Sequence, residues 1–274
     1  MHVTQKSGGI LITDCDIDLY KTFDCGQCFR FDPIGEKSFR GVALGKLITI
    51  NVTEEGFYID DMSEDEFKRS FVRYFDLDRD YGEIQNDLEK AGLHLGALQS
   101  GKGIRILRQD PWEALCSFII SQNNNIPRIK KIIAALCALL GDKIGDEFYA
   151  FPTAQQVAKA GVEGLAPIKA GFRAKYIIDA AERVADGRLD LERLSNVTLA
   201  EAITELCTVK GVGPKVASCV ALFGLGHMDA FPIDVWIKRV IDKYYDDSFT
   251  PESFGKYAGI AQQYLFYHER YLSE

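Results

Sequence analysis

Val209-Lys-Gly-Val-Gly-Pro-Lys-Val-Ala-Ser-Cys219, followed closely by Phe231-Pro-Ile-Asp-Val235, is the stretch of sequence that most constrains the fold. Its two glycines permit a tight turn, and an apolar pattern of helical period begins directly after them. We therefore predict a hairpin that leads into a helix with Lys215 in its first turn. The start of such a helix offers N–H donors and a positive dipole, which suit a phosphate group. Asp234 is predicted to begin the next helix.

Lys215 has a functional and a structural interpretation. As a functional group it is an amine nucleophile held at the positive end of a helix. The structural alternative is a solvated lysine, which the positive end of a helix disfavours electrostatically. Asp234 is interpreted either as a helix cap or as a catalytic carboxylate, and the two roles are compatible.

Composition places the chain among ordinary globular proteins. It has 274 residues, of which 47% are hydrophobic and 26% charged, enough for two domains that each bury a core. The N-terminus lacks the apolar segment of a signal peptide, and no apolar run is long enough to span a bilayer. We therefore expect a soluble, intracellular protein, in the cytoplasm or nucleoid if its source is prokaryotic. We also expect a monomer.

The seven cysteines form no recognisable metal-binding pattern. Cys25-Gly-Gln-Cys28 resembles a redox or metal-ligating pair, but the four histidines are scattered and offer no further zinc ligands. The sequence has no cluster of four cysteines near its C-terminus, so we do not expect an iron–sulfur centre. We favour a structural role for Cys25 and Cys28 over a redox role.

The net charge of −8 argues against a general nucleic-acid binder. A local basic face on an acidic protein can still bind DNA over a short footprint. The second half of the chain supplies basic positions for such a face: Arg105, Arg108, Arg128, Lys130, Lys131, Lys169, Arg173 and Lys175.

Two regions differ in pattern, and together they predict an α+β fold. Residues 1 to about 100 contain short β-type runs separated by turns, which indicate an antiparallel sheet with two helices after it. The predicted strands are Gly9–Thr13, Cys28–Phe31, Phe39–Leu44, Leu47–Val52 and Phe57–Ile59. Residues 101–274 are predicted to be helical, with N-caps at Asp110, Thr153 and Thr198 and a last helix over Phe254–Tyr267.

These segments together resemble one family, the 8-oxoguanine DNA glycosylases with lyase activity of the helix-hairpin-helix (HhH-GPD) superfamily. The resemblance covers nearly the whole chain. Its segments are 24–30, 107–111, 117–126, 170–176, the hairpin with Asp234, and 261–266. It implies an N-terminal antiparallel domain like that of the TATA-binding protein over residues 1–100 and a helical catalytic domain over residues 101–274.

The resemblance assigns the chemistry to two residues. Lys215 would attack the anomeric carbon of the damaged nucleotide, release the base and leave a Schiff base. Asp234 would stabilise the positive charge that develops on the sugar. The substrate would be double-stranded DNA containing 8-oxoguanine, and no cofactor or catalytic metal is implied.

Residues that read the lesion also follow from the resemblance. Chemistry on a base inside a duplex requires that the base be flipped into a pocket. The carbonyl of Gly26 would meet the N7 hydrogen of the oxidised base, and Gln262 would bind its pyrimidine-like edge. Cys219 and Phe266 would sandwich the ring, although both also fit plain core packing at helical spacing.

Further contacts to DNA are implied by the same match. Asn123 would fill the gap left by the flipped base, with Phe172 as a wedge beside it. Arg128 and Arg173 would grip the orphaned cytosine. Lys210, Gly211 and Gly213 would contact a phosphate, and the carbonyls of Cys207, Val209 and Val212 would hold a structural cation.

The chain departs from the eukaryotic pattern at three positions. Lys210 replaces a proline, Phe172 replaces a tyrosine, and Trp236 replaces a histidine near a phosphate. Three other functions remain open: a sister glycosylase for other damaged bases, a helix-hairpin-helix module that only binds DNA, and a thiol oxidoreductase. Lys215 counts against a sister glycosylase for alkylated bases, because that branch typically has no lysine in the hairpin. The DNA-binding module would need neither Lys215 nor Asp234.

Overall fold

The computed structural model describes residues 1–272, which form an antiparallel β-sheet and a larger body of helices. The strands are β1 His2–Lys6, β2 Gly9–Thr13, β3 Phe31–Pro33, β4 Ser38–Ala43, β5 Lys46–Val52 and β6 Gly56–Asp60. Their order in the sheet is β1-β2-β6-β5-β4-β3, and every pair is antiparallel. The predicted α+β class is confirmed.

The sheet buries one face because apolar residues alternate along its central strands. Ile10 of β2 lies opposite Ile59 of β6, which in turn lies opposite Ile50 of β5, and all three are fully buried. Phe23 completes this core through a stacked contact with Phe31 at 4.1 Å between ring centroids.

The helices before residue 110 pack on the sheet or lead away from it. They are α1 Leu19–Asp24, α2 Glu64–Glu66, α3 Val72–Tyr74, α4 Tyr81–Lys90 and α5 Leu95–Gly101, with a π-helical turn at Phe67–Phe71. Among them, α5 touches the last helix of the chain. Gly101 has no side chain, and the Tyr264 ring occupies the space where a Cβ would stand.

The remaining helices surround a second core. They are α6 Pro111–Ser121, α7 Ile126–Leu140, α8 Ala154–Gly164, α9 Ala174–Ala185, α10 Leu191–Leu194, α11 Leu199–Leu206, α12 Pro214–Val220, α13 Val235–Tyr244 and α14 Ala258–Tyr271. Short 3₁₀ turns lie at Ala166–Ile168, Gly171–Arg173 and Pro251–Tyr257, and a π-helical turn at Ala221–Leu225. The N-caps predicted at Asp110, Thr153 and Thr198 are confirmed by hydrogen bonds from the third residue of each helix.

Two predicted elements differ from the structure, and one strand was not predicted. The strand Cys28–Phe31 was wrong, because Phe29 turns into the helical core against Phe118 and β3 begins only at Phe31. The strand β1 was missed, since its side chains are exposed and mostly polar and give no alternating apolar signal. The last helix begins at Ala258 rather than Phe254, because Gly255 has φ +57 and interrupts it.

The segment after α1 joins the two cores. Gln27 is fully buried, and its amide donates to the carbonyl oxygens of Thr22 and Arg105 at 2.9 and 2.8 Å. Its Oε1 accepts from the backbone N–H of Leu107 at 2.8 Å. These bonds fix residues 25–29 beside the helical core. The domain boundary near residue 100 stays a prediction.

No helix in the described part of the chain is both long and apolar enough to cross a membrane.

Candidate active site

A cleft of about 660 Å³ opens between α12, the start of α13, α14 and the loop that joins α6 to α7. Eight of the site residues that the resemblance implies line it. They are Gly26, Asn123, Gly213, Lys215, Cys219, Asp234, Gln262 and Phe266. The residues of the hairpin, those expected to read a base and the one expected to fill the gap therefore meet at one place.

Lys215 occupies the first turn of α12, as predicted. Gly213 is the N-cap of that helix and Pro214 follows it, so the N–H that proline lacks is one that helix geometry would leave unpaired. The Lys215 side chain is exposed and lines the cleft. An exposed amine at this position is accessible to a molecule bound in the cleft.

Asp234 is the N-cap of α13. Its Oδ1 accepts hydrogen bonds from the backbone N–H groups of Trp236 and Ile237, both at 2.9 Å. Its Oδ2 accepts no hydrogen bond from residues 1–272. One oxygen therefore anchors the carboxylate while the other is available to the cleft.

Cys219 lies one helical turn after Lys215 and is 4% exposed. Burial raises the pKa of its thiol to about 11, an effect that the nearby Lys215 ammonium opposes and Asp234 reinforces. The side chain is therefore a neutral thiol, which provides a polarisable apolar surface in the wall of the cleft.

Gly26 also lines the cleft and has a backbone carbonyl oxygen to offer there. Its φ of +77 is a conformation that residues with a Cβ rarely adopt, which explains the glycine. A Cβ at this position would lie 3.6 Å from the Phe266 ring, so the glycine backbone faces that ring. Its carbonyl oxygen accepts no hydrogen bond from the part of the chain that the structure describes.

Gln262 and Phe266 project from adjacent turns of α14. Gln262 is only 5% exposed, yet its Oε1 has no hydrogen-bond partner among the described residues. A buried acceptor without a partner is destabilising, and such atoms occur at sites where a ligand supplies the missing donor. The cleft therefore presents two acceptors, at Gly26 and Gln262.

Asn123, which is expected to fill the gap, is held in place by Arg173. Asn123 is at the tip of the α6–α7 loop with φ +47, a left-handed conformation that asparagine tolerates better than most residues. Arg173 is 3% exposed and donates to the carbonyl oxygens of Gln122 and Asn123. Its guanidinium therefore holds this loop in the described structure.

Arg128 is exposed beside Arg173. Burial lowers the pKa of Arg173, and the Arg128 charge lowers it further. Phe172 is 47% exposed, and the Arg173 guanidinium lies 4.5 Å from its ring centroid. Arg128, Phe172 and Arg173 lie outside the cleft lining itself.

The hairpin turn is compact and held from outside. Val212 N–H donates to Val209 O at 3.0 Å, and Lys210 N–H donates to Asp179 Oδ2 at 2.8 Å. Gly211 has φ +79 and lies against the Tyr176 ring. The turn is compatible with the predicted cation, because neutral carbonyl oxygens are ligands of hard cations and Val209 O retains a second lone pair.

The cysteine pair lies beside the cleft. Cys25 and Cys28 are both free and buried, and burial raises the pKa of each thiol. Within residues 1–272, no three side chains of His, Cys, Asp or Glu are grouped as metal ligands. Buried protonated thiols are poor nucleophiles, which is consistent with a structural role.

Three further residues at the site were not singled out from the sequence. Gln263 donates to Cys25 O at 2.6 Å. Arg270 lines the cleft with its guanidinium 5.6 Å from the Phe266 ring centroid. Gln27 fixes the Gly26 segment from the other side. Glutamine and arginine are common on helices and loops, and only the contacts across the fold distinguish these three.

Family models match almost the whole chain. Residues 9–115 match the N-terminal domain of 8-oxoguanine DNA glycosylase, and residues 116–252 match the HhH-GPD superfamily of base excision DNA repair proteins. The chain is 31% identical to the N-glycosylase/DNA lyase OGG1 of Arabidopsis thaliana, across 97% of this chain and 81% of the relative.

Solved structures agree with these matches. The 8-oxoguanine glycosylase/lyase of Clostridium acetobutylicum, in complex with double-stranded DNA containing cytosine opposite 8-oxoG, has a TM-score of 0.91 and 37% identity, with 98% of each chain covered. MBOgg1 in complex with a low affinity DNA ligand has a TM-score of 0.93 and 40% identity, with 100% of this chain and 99% of that chain covered. The chain therefore belongs to the 8-oxoguanine DNA glycosylase family of the HhH-GPD superfamily of base excision DNA repair proteins.

Proposed function

We propose that this protein flips 8-oxoguanine out of duplex DNA, excises it through a lysine Schiff base, and then cleaves the strand as a lyase. The observation that carries the proposal is the composition of the cleft: Lys215 and Asp234 share it with the two unpartnered acceptors of Gly26 and Gln262. A module that only binds phosphate would need none of these four groups.

Lys215 provides the nucleophile. Its neutral amine attacks C1′ of the damaged nucleotide, the bond from C1′ to the base nitrogen breaks, and the base leaves with the bonding electrons. The sugar ring then opens to an imine on Lys215. Loss of a proton from C2′ allows the C3′–O bond to break, which is β-elimination and cuts the strand.

Asp234 acts through its charge. As the base departs, positive charge develops on the sugar, and a fixed carboxylate nearby stabilises it more than it stabilises the ground state. The hydrogen bonds from Trp236 and Ile237 hold Oδ1, so that the carboxylate needs no reorganisation during the reaction.

Gly26 and Gln262 read the base. 8-Oxoguanine carries a hydrogen on N7, and guanine carries a lone pair there. The carbonyl of Gly26 would accept from the first and repel the second, which rejects guanine by leaving polar groups unpaired. Gln262 would pair with the pyrimidine-like edge, while Cys219 and Phe266 enclose the ring.

The opposite base would be read by Arg128 and Arg173. Cytosine offers two adjacent acceptors to guanidinium donors, whereas adenine leaves one donor unpaired. Because Arg173 already holds the Asn123 loop, Arg128 is the more available reader. Asn123 would fill the gap and Phe172 would wedge beside it.

The hairpin would anchor the strand. Gly211 and Gly213 let the backbone approach a phosphate at the start of α12, Lys210 adds a charge, and a cation on the carbonyls of Cys207, Val209 and Val212 would brace the turn. Because its substrate is DNA, the enzyme acts inside the cell. We place it in the nucleoid or cytoplasm if its source is prokaryotic, and expect it to act as a monomer.

Borohydride trapping tests the function directly. Wild-type protein, a duplex with one 8-oxoguanine opposite cytosine and sodium borohydride should give a covalent adduct, and Lys215→Gln should give none. A parallel duplex with adenine opposite the lesion should react more slowly. An undiminished adduct in Lys215→Gln would refute the assignment of the nucleophile, and no adduct or excision in wild type would refute the function itself.

A further inference from the structure

Gln263 connects the last helix to the loop that carries Gly26. Its side chain is 2% exposed and donates from Nε2 to the backbone carbonyl of Cys25 at 2.6 Å. The two residues are 238 positions apart in the chain. The preceding residue on α14 is Gln262, whose Oε1 has no partner among the described residues. The two consecutive glutamines therefore both line the cleft. Gln263 binds the loop that carries Gly26, and Gln262 presents an acceptor without a partner among the described residues.

The far side of Gly26 is held as well. The carbonyl of Gln27 accepts from Gln109 Nε2 at 2.7 Å, and the amide of Gln27 is bound on both its oxygen and its nitrogen. Gly26 thus lies between two peptide groups whose carbonyls are each fixed by a glutamine. Its own carbonyl is left without a hydrogen bond from the described residues.

Glycine cannot set the direction of this carbonyl by itself. Without a Cβ it has access to a wide range of φ and ψ, so external hydrogen bonds must define its orientation. A rotation of the Cys25–Gly26 peptide changes φ of Gly26, and with it the direction of the Gly26 carbonyl in the cleft lining. The bond from Gln263 opposes that rotation.

We propose that Gln263 is a positioning residue for lesion recognition: it orients the Gly26 carbonyl so that 8-oxoguanine is accepted and guanine rejected. This inference rests on the proposed function. It also explains why one helix carries Gln262 and the glutamine that holds the Gly26 loop. Because Gln262 and Gln263 are adjacent on α14, the two acceptors that read the base keep a fixed separation, and contacts that differ by an ångström lose much of their value.

Gln263→Met tests the inference, since methionine fills the same volume without a donor. Excision of 8-oxoguanine in single turnover should fall about tenfold or more, a factor comparable to one lost hydrogen bond. Strand cleavage at a preformed abasic site, which needs Lys215 but no base contact, should stay within about twofold. In a Lys215→Gln background, the binding preference for an 8-oxoguanine duplex over a guanine duplex should fall as well.

Gln85→Met is the matched control. Gln85 donates to Tyr264 Oη at 3.3 Å, so this variant also removes an amide hydrogen bond to α14, at a point away from Gly26. It should leave the ratio of excision to abasic cleavage unchanged. An equal drop in that ratio for Gln85→Met would overturn the proposal. So would a parallel loss of both activities in Gln263→Met, or no loss of either.

Gln263→Glu gives a second readout if the methionine variant folds poorly. A buried carboxyl donates to Cys25 O only while it is protonated. Excision by this variant should therefore decline with rising pH relative to wild type, while abasic cleavage follows the wild-type profile. Identical profiles would overturn the proposal. Wild-type protein that neither excises 8-oxoguanine nor forms the borohydride adduct would instead indicate failure of the proposed function.

Discussion

Asp234 has an observed structural task, and the proposed function gives it a chemical task as well. Its Oδ1 caps α13 through two backbone hydrogen bonds, and its Oδ2 is available to the cleft. The helix and the reaction therefore depend on different properties of the same group. Capping needs only an acceptor of the right geometry, whereas stabilisation of a developing cation needs the negative charge.

Replacement of Asp234 by asparagine should separate these tasks. Asparagine caps helices about as well as aspartate, so we expect Asp234→Asn to keep its melting temperature and its affinity for 8-oxoguanine DNA. Excision in single turnover should slow by roughly a hundredfold, as for other lost electrostatic contacts to a transition state. Calorimetry, equilibrium binding and quenched-flow excision would measure the three quantities.

Asp234→Ala provides the comparison. It removes the cap as well as the charge and should lower stability by about 1 kcal/mol in addition to its effect on rate. Loss of binding in proportion to turnover in Asp234→Asn would show that the carboxylate serves only the structure.

The hairpin before α12 depends on two glycines for different reasons. Gly211 has φ +79, and a Cβ there would lie 2.4 Å from the Tyr176 ring. Gly213 has φ −102, and a Cβ there would meet nothing within 4 Å. The first glycine is required by the fold, whereas the second leaves open space where a phosphate would approach.

Alanine at each position should give opposite results. Gly211→Ala should lower the melting temperature, because it adds strain at positive φ and displaces Tyr176 or the turn. Gly213→Ala should keep the melting temperature and weaken binding to an abasic-site duplex, because its methyl group obstructs the phosphate. Thermal melts and binding titrations of both variants provide the check, and similar melts for the two would contradict the assignment.

Secondary structure could be predicted wherever local signals were strong. Capping residues marked the starts of α6, α8 and α11, and alternation of isoleucines marked β2 and β5. Local signals failed at Cys28–Phe31, where tertiary packing against Phe118 decides the conformation. They failed also at β1, which is exposed.

The candidate site could be predicted only in part. Lys215 and Asp234 follow from the hairpin pattern, and Gly26 and Gln262 from the family resemblance. Gln263 had no signal in the sequence because its partner, Cys25 O, is a backbone atom 238 residues away. The hydrogen bonds from Arg173 to the Asn123 loop could not be predicted either, since they go to backbone carbonyl oxygens, which the sequence does not mark.

For the molecule as a whole, the junction of α5, α13 and α14 links stability to pH. The His94 ring stacks on Tyr244 at 4.0 Å between centroids and lies 5.2 Å from His268. His94 Nδ1 is buried without a hydrogen-bond partner among the described residues. Lys243, which pairs with Glu269 at 3.7 Å, adds positive charge nearby. A proton on Nδ1 of His94 would therefore have no acceptor at hydrogen-bonding distance among the described residues.

Acidification should therefore loosen this junction. Burial lowers the pKa of both His94 and His268 below the usual 6.5 of histidine, and Lys243 lowers both further. His94 also lowers the pKa of His268, whereas Glu269 raises it. Because the folded pKa values are depressed, the stability is fully present above pH 6.5 and is lost as pH falls through the folded values. The melting temperature of wild type should fall from about pH 7 to about pH 5 more steeply than that of His94→Phe, which keeps the stacking. Parallel curves would contradict this.

The five most deeply buried cysteines bear on how this enzyme withstands oxidising conditions. Burial raises the pKa of Cys25, Cys28, Cys116, Cys137 and Cys219, so each remains a thiol at physiological pH. Peroxides oxidise thiolates far faster than thiols, and they need access to the sulfur. 8-Oxoguanine arises under the same oxidising conditions. Cys28, Cys116 and Cys137 also lie outside the cleft lining, so the packing around their sulfurs should protect the repair protein from the agents that create its substrate.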